Sequence, residues 1–509
     1  MSDSLKVTRR GLFDRIADPV LTSPVWSRRV GWIAPLLITL LAGILRLWNL
    51  GYPHTLLFDE TYYVKDAWTQ WNLGYPSTWP DGADQKFADG DTDIFTTEGS
   101  FVVHPPLGKL LIGVGMALFG ADSPVGWRFS AAIFGAATVL MLYFVAHTLT
   151  RSVLFASVAA SLMAIDGLAI VMSRVSLLDI FLTFFVLLGF WFIALDRNHH
   201  KRRLQALLPP RERDYAYGPL VWNRPWLIAA GTAFGAATAV KWSGLYVLAG
   251  FGLYVVVTDA LIERRLRVRY WPTQAMLQGA IAFVLYVPAA GLVYLISWTG
   301  WLTSSGGYGR GDGGGIIGAL GALLQYHNDI YAFHVGVTTP HGYASPAWQW
   351  PLLLRPTAMF YQGSEGCADP NGCAQNIYSM PNPLIWWASI AAALYLVYRF
   401  AAARNWRYAI VLVALAVTFG PWLLYPERTI FQFYTIAMLP FLLLALTFAL
   451  REIAGGSRRD PIRRQCGQGI VLAFLVVAVA LSAWWYPILV AETVPYQFWR
   501  IHAWLTTWI

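Results

Sequence analysis

Three cysteines in 509 residues cannot build a disulfide framework. Charged side chains are also scarce, at 13% against 57% hydrophobic residues, which excludes an ordinary soluble domain with a charged shell. No short-period repeat is visible, and no polar stretch is long enough to fold alone. The N-terminus carries Lys6, Arg9, Arg10, Arg15, Arg28 and Arg29 but has no cleavable signal pattern, so its first apolar run reads as a retained helix. The net charge of +9 is unevenly distributed along the chain, so it does not indicate a nucleic-acid partner.

What is present is a series of apolar runs near or above the roughly 18–20 residues that span a bilayer. They predict helices near 31–50, 127–148, 152–173, 176–195, 226–241, 243–260, 273–297, 383–400, 408–424, 431–450 and 468–487. The fold class is an all-α polytopic membrane protein with about eleven crossings. Basic residues crowd particular connections: Arg197, Lys201, Arg202, Arg203, Arg211 and Arg213; Arg264, Arg265, Arg267 and Arg269; Arg399, Arg404 and Arg407; Arg458, Arg459, Arg463 and Arg464. The positive-inside rule puts these connections and the N-terminus in the cytoplasm, and the C-terminus outside. Segment 51–126 is rich in Asp and Glu and faces outward. The apolar run 105–120 must then lie in the outer interface, because a crossing there would invert every later connection.

The expected organisation is a tail (1–30), a transmembrane module with its outer loop (31–297), a second outer loop (298–382) and a C-terminal transmembrane module (383–509). The second loop shows no clear series of alternating strands, and Gly306 to Gly315 reads as flexible linker. Cys367 and Cys373 flank a turn sequence on the outer side, where a bridge can persist; two free thiols are the other reading. Cys466 falls inside and is expected to be free.

Phe58-Asp59-Glu60-Thr61-Tyr62-Tyr63 follows the first helix, so two carboxylates stand where the chain leaves the membrane. Such charges are costly without a task or a partner. Other ionisable groups fall at the same outer helix ends: His104 and Lys109, Arg174 and Asp179, Lys241, and Arg428. Each alone reads as a helix-end ion pair or a snorkelling charge. Together they suit one chemistry, in which basic groups hold a phosphate and a carboxylate deprotonates a hydroxyl. Asp59 is the expected base. Glu60 would orient the acceptor or a basic neighbour, because adjacent helix residues do not face each other; the reverse assignment is open. Arg174, Lys109, Lys241 and Arg428 are candidates for the phosphate, with Arg46 weaker. Asp59, Glu60 and His104 could instead hold a divalent metal, although no compact ligand spacing supports one.

With these residues on the page, the chain resembles the protein O-mannosyltransferases of the GT-C superfamily, actinobacterial members in particular. The resemblance rests on the Asp59-Glu60 motif, His104-Pro105-Pro106-Leu107-Gly108-Lys109, and Ser173-Arg174 through Asp179. It also rests on His334, His341-Gly342-Tyr343-Ala344-Ser345 and Trp348-Gln349-Trp350-Pro351-Leu352-Leu353-Leu354-Arg355-Pro356. It implies mannose transfer from polyprenyl-phosphate mannose to Ser or Thr of secreted proteins at the outer face of the plasma membrane, without a cofactor. It also implies acceptors delivered from the secretion translocon, a base at Asp59 and a contribution from Arg174. Tyr62, Tyr63, His104, Asp179, His341, Trp348 and Trp350 are the expected substrate contacts. The β-trefoil carried by eukaryotic relatives cannot fit in 298–382. Two other readings stand beside this one: a related transferase acting on a lipid or glycan, and a lipid flippase or transporter, which would favour mid-membrane charges and paired half-helices.

Overall fold

The computed structural model describes residues 23–208, 215–311, 314–455 and 460–509. Lys6, Arg9, Arg10, Arg15, Arg211, Arg213, Arg458 and Arg459 lie outside the described residues. Eight helices there are long and apolar enough to cross a membrane. They include α1 (Pro24–Leu47), α5 (Pro124–Thr150), α8 (Asp179–Leu207), α10 (Ser243–Arg265), α11 (Trp271–Ser297) and α17 (Pro461–Leu489). The remaining three expected crossings are shorter helices packed inside the protein: α6 (Val153–Ile165), α9 (Pro225–Val240) and α16 (Leu439–Ala454).

Each short helix has a local cause. Asp166 stops α6 and caps the next helix, α7 (Gly167–Val171), by accepting the Ala169 N–H at 3.1 Å. In α9, Gly231 and Gly235 form a small-xxx-small pair that lets the backbone meet α11. A Cβ at either position would come within 2.6 Å of the backbone at Tyr286 or Ala290. Helix α16 is buried nearly all round, from Leu439 to Phe448, as an apolar helix without a polar face must be.

Two long connecting segments rest on this bundle, the ones that the sequence assigns to the outer side. The first contains α2 (Glu60–Leu73), the short α3 (Ala83–Ala88) and α4 (Leu107–Phe119). Helix α4 packs on α2 and α5, and Trp71 Nε1 of α2 donates to Leu110 O at 3.0 Å. The second segment differs from the sequence expectation. It holds α13 (Gly315–Gly336) and a three-stranded antiparallel sheet, with β1 (Thr357–Ser364), β2 (Cys373–Ser379) and β3 (Val494–Pro495) in that order. The strands escaped notice because β2 is buried on both faces and so does not alternate. Gly306 and Gly307 are not free linker either; a Cβ on them would strike Tyr75 and Trp301. Cys367 and Cys373 are bridged, and Cys466 is exposed and unbridged. The C-terminal tail joins this outer layer, since β3 pairs with β2 and Tyr378 donates its hydroxyl proton to Trp508 O at 2.7 Å.

One buried ion pair ties the first outer segment to the bundle. Glu60 is wholly buried. Arg128 of α5 forks onto it, with Nε to Oε1 and Nη2 to Oε2 both at 2.9 Å. The Leu57 and Ser176 N–H groups add bonds of 2.8 and 2.7 Å. The same guanidinium donates to Pro53 O and Thr55 O at 2.9 and 2.8 Å. Removing one member of such a pair leaves the other charge buried alone, at about 3–5 kcal/mol. Glu60→Ala should therefore lower the thermal unfolding midpoint in detergent more than the double change Glu60→Leu, Arg128→Met. Equal losses in the two proteins would mean that the pair is not the tether.

Candidate active site

Asp59 precedes α2 at its N-cap position, yet its side chain makes no capping bond. The residue before it, Phe58, has φ +47°, a conformation rarely taken by a bulky side chain. Three rings hold it there: Phe431, Phe433 and His341, with centroids 5.4, 5.7 and 5.7 Å away. The turn thereby presents a carboxylate that the local backbone does not use. Burial pushes the Asp59 carboxyl up to about 6; Lys241 pulls it down, Asp179 raises it and the Tyr63 hydroxyl lowers it.

Beside this carboxylate lies a cavity of about 150 Å³, between the outer ends of α8 and α10 and the end of α13. Its polar lining includes His104, Asp179, Lys241, His334, Arg428 and Tyr434. Valines and leucines of α8 and α10 supply apolar walls. Lys241 leaves the end of α9 and donates to Asp179 Oδ2 at 2.7 Å; its ammonium also stands 4.9 Å from the centre of the Tyr434 ring. Arg428 lies over Trp422 at 5.7 Å and donates from Nη2 to His334 Nδ1 at 3.0 Å. Its Nε is buried without a partner. Among the described residues no carboxylate comes within ion-pairing distance of Arg428. The His104 ring lies tilted against His334, with centroids 5.3 Å apart, and against Tyr63 at 6.0 Å. Burial, then Lys241 and His334, holds its imidazole well below the usual range.

The structure thus brings Asp179, Lys241, Arg428 and His104 together around the cavity, with Asp59 and Tyr63 at its side. Other candidates lie elsewhere. Arg174 is buried and donates to Arg46 O, Trp48 O and Asn49 O at 2.9, 2.6 and 3.2 Å, which caps the end of α1. Arg46 likewise bonds Met163 O and Ala164 O. Lys109 is buried, 3.8 Å from Asp66 and 3.1 Å from the His104 carbonyl; it pins His104 from behind. Both oxygens of Glu60 are occupied by the tether, so Asp59, Glu60 and His104 do not converge on one point. Trp350 is buried and donates to Ser345 O at 2.8 Å. Tyr62 and Trp348 are 65% and 59% exposed, away from the cavity. His341 braces Phe58. Sequence reasoning missed Arg128, Asp66 and Tyr434, and gave His334 no role.

Two family profiles match consecutive parts of the chain. One, described as dolichyl-phosphate-mannose-protein mannosyltransferase, covers residues 121–299. The other, the C-terminal four-span region of protein-O-mannosyltransferase, covers 319–508. A polyprenol-phosphate-mannose–protein mannosyltransferase of Mycolicibacterium smegmatis is 33% identical over 516 residues, 96% of each chain. The protein of that name from Mycobacterium tuberculosis is 32% identical over 96% of this chain and 94% of its own. In fold, the chain is similar to the Saccharomyces cerevisiae protein O-mannosyltransferase Pmt1-Pmt2 complex bound to its sugar donor. That match has a TM-score of 0.72 at 14% identity, covering 94% of this chain and 92% of that one. The oligosaccharyltransferase of Archaeoglobus fulgidus follows at 0.51 and 18%, covering 95% of this chain and 58% of its own. At 33% identity over nearly the full length of both chains, the protein belongs to the polyprenol-phosphate-mannose–protein mannosyltransferases, and its GT-C membrane architecture is that of the family.

Proposed function

We propose that the protein transfers mannose from polyprenyl-phosphate mannose to serine or threonine hydroxyls of proteins, with inversion at the anomeric carbon. The single observation that carries this reading is a half-buried carboxylate, Asp59, which has no ion-pair partner among the described residues and stands beside a cavity that presents Arg428 and Lys241. Asp59 takes the acceptor hydroxyl proton. The oxygen attacks the anomeric carbon as its bond to the phosphate oxygen breaks. Arg428 and Lys241 receive the charge on the departing polyprenyl phosphate, a charge-assisted role suited to both. A phosphate leaves readily, so no second carboxyl is needed as acid, unlike in glycoside hydrolysis. Glu60 acts by holding Arg128 and the loop that carries Asp59. The apolar cavity wall suits a lipid-linked donor and is not required by a soluble sugar nucleotide.

The cavity opens on the outer face, and the N-terminus is cytoplasmic. Supporting this, α8 begins with Asp179 at the cavity and carries Lys201, Arg202 and Arg203 in its last two turns, 22 to 24 residues further on, which at 1.5 Å each is about the thickness of a bilayer core. Helix α10 repeats the pattern, from Ser243 at the cavity to Arg264 and Arg265. The plasma membrane then exposes the site to secreted chains as they emerge from the translocon. A periplasmic-type reporter fused after Ile509 should be active; activity from a cytoplasmic reporter alone would sink this orientation.

Two further measurements test the chemistry. A base must be ionised to act, so kcat/KM for a threonine peptide should rise with pH through about 6 and level above it. Asp59→Asn should remove that limb and cut turnover roughly 10²–10⁴-fold with donor binding retained; a variant that keeps both limb and rate excludes Asp59 as the base. Arg428→Ala should raise the donor KM about 10–100-fold, the loss of one charge-assisted contact. Arg174→Ala should instead lower thermal stability and leave donor KM near that of the parent. The opposite pattern would put the phosphate at the end of α1.

A further inference from the structure

Arg428 sits in a loop, on a side chain with four rotatable bonds, and no carboxylate holds it. Something else must fix a guanidinium that is to receive a phosphate, because geometry lost to rotamer freedom weakens every contact it makes. His334 is that partner. It lies in the last full turn of α13, a helix of the second outer segment. Its two ring nitrogens have different neighbours. Nε2 faces the Val103 carbonyl at 2.9 Å, and a carbonyl can only accept, so Nε2 carries the proton. Nδ1 is therefore a lone pair, and Arg428 Nη2 donates to it at 3.0 Å. Val103 lies between Val102, whose N–H and C=O both bond the Tyr326 hydroxyl at 3.0 and 3.1 Å, and His104, whose carbonyl is pinned by Lys109, so the acceptor is anchored from both sides.

We infer that His334 is a positioning residue of the transfer site: its Nδ1 lone pair aims Arg428, leaving the rest of the guanidinium turned to the cavity for the donor phosphate. The inference rests on the proposed phosphate role of Arg428. The arrangement works with a neutral imidazole alone, since a proton on Nδ1 would set two donors and two positive charges against each other. Burial, with the charges of Arg428 and Lys241, holds the His334 imidazole down to about 4. The charged and titratable groups that face it are Arg428, Lys241 and His104; none is a carboxylate that would favour protonation. The chemistry recognised is a phosphodiester anion, and the residue that supplies the aim lies 94 residues before the residue that supplies the charge.

A double-mutant cycle separates positioning from general support of the fold. The full-length enzyme in detergent–lipid micelles is assayed with a short-chain polyprenyl-phosphate mannose and a threonine peptide. The variants are His334→Gln, His334→Asn, Arg428→Ala and the double change His334→Gln, Arg428→Ala. Gln places its amide where Nε2 was, so the Val103 contact survives and the Arg428 acceptor is lost. Asn places its oxygen where Nδ1 was and restores that acceptor. His334→Gln should raise donor KM about tenfold, the scale of one hydrogen bond to a charged group, with kcat and acceptor KM little changed. His334→Asn should recover most of the loss. In the Arg428→Ala background, His334→Gln should have no further effect on donor KM. If His334→Gln is harmless, or if its effect multiplies undiminished on top of Arg428→Ala, the positioning role is overturned. If Arg428→Ala itself leaves donor KM unchanged while the peptide is still mannosylated, the phosphate assignment fails and this inference falls with it. If the parent enzyme does not mannosylate the peptide at all, the proposed function fails first.

Discussion

An ion taken out of water costs several kcal/mol unless protein groups replace its hydration, and this cost sorts the charges at the outer end of the bundle. Some are saturated. Glu60 accepts two bonds from Arg128 and two from backbone N–H groups. Arg174 and Arg46 give their protons to carbonyls at helix ends. These side chains hold segments together, and none of them lines the cavity. The others are underused. Among the described residues no cation lies within ion-pairing distance of Asp59, and Arg428 has one imidazole lone pair. An enzyme site in this membrane face is the place where that burial penalty is left uncompensated by the protein, so that a substrate can compensate it.

The same tether that satisfies Glu60 explains how the next residue stays unsatisfied. With Glu60 locked inward by Arg128, the helix start cannot rotate, and Asp59 must project the other way. The left-handed backbone at Phe58 stores part of the strain of that reversal. The ring contacts from Phe431, Phe433 and His341 hold it, and these come from the far half of the chain. Asp59 is therefore positioned jointly by the segment after α1 and by the segment before α16, which also delivers Tyr434 to the cavity.

Much of this was legible in the sequence, and the failures have physical causes. The apolar runs gave the helices because a bilayer imposes a length and a composition that few other structures need. The two carboxylates after the first helix drew attention as a pair, yet nothing in Asp59-Glu60 says that only Glu60 is locked into a buried ion pair. The order of the phosphate candidates was not legible. Arg174 and Arg428 both read as cations at outer helix ends, and nothing local says which one meets carbonyls and which meets a cavity. Arg128 gave no sign, because in Trp127-Arg128-Phe129 it looks like a snorkelling charge, and its partners lie 68 residues or more upstream. The sheet was hidden by burial on both faces of β2. His334 stood in a recognised run, but its role depends on which ring nitrogen meets Val103, a fact of tertiary structure alone.

Lys241 and Arg428 are therefore not equivalent cations. Lys241 is already engaged by Asp179 and by the Tyr434 ring, and its field reaches Asp59. It balances two carboxylates with one charge, so the site carries an excess of negative groups on that side. Arg428, braced by a neutral imidazole, contributes a full positive charge on the other. A donor whose phosphate lies toward Arg428 and whose sugar lies toward Asp59 would follow this gradient. The polarity of the cavity, more than any one contact, distinguishes the leaving-group end from the end where a proton is removed.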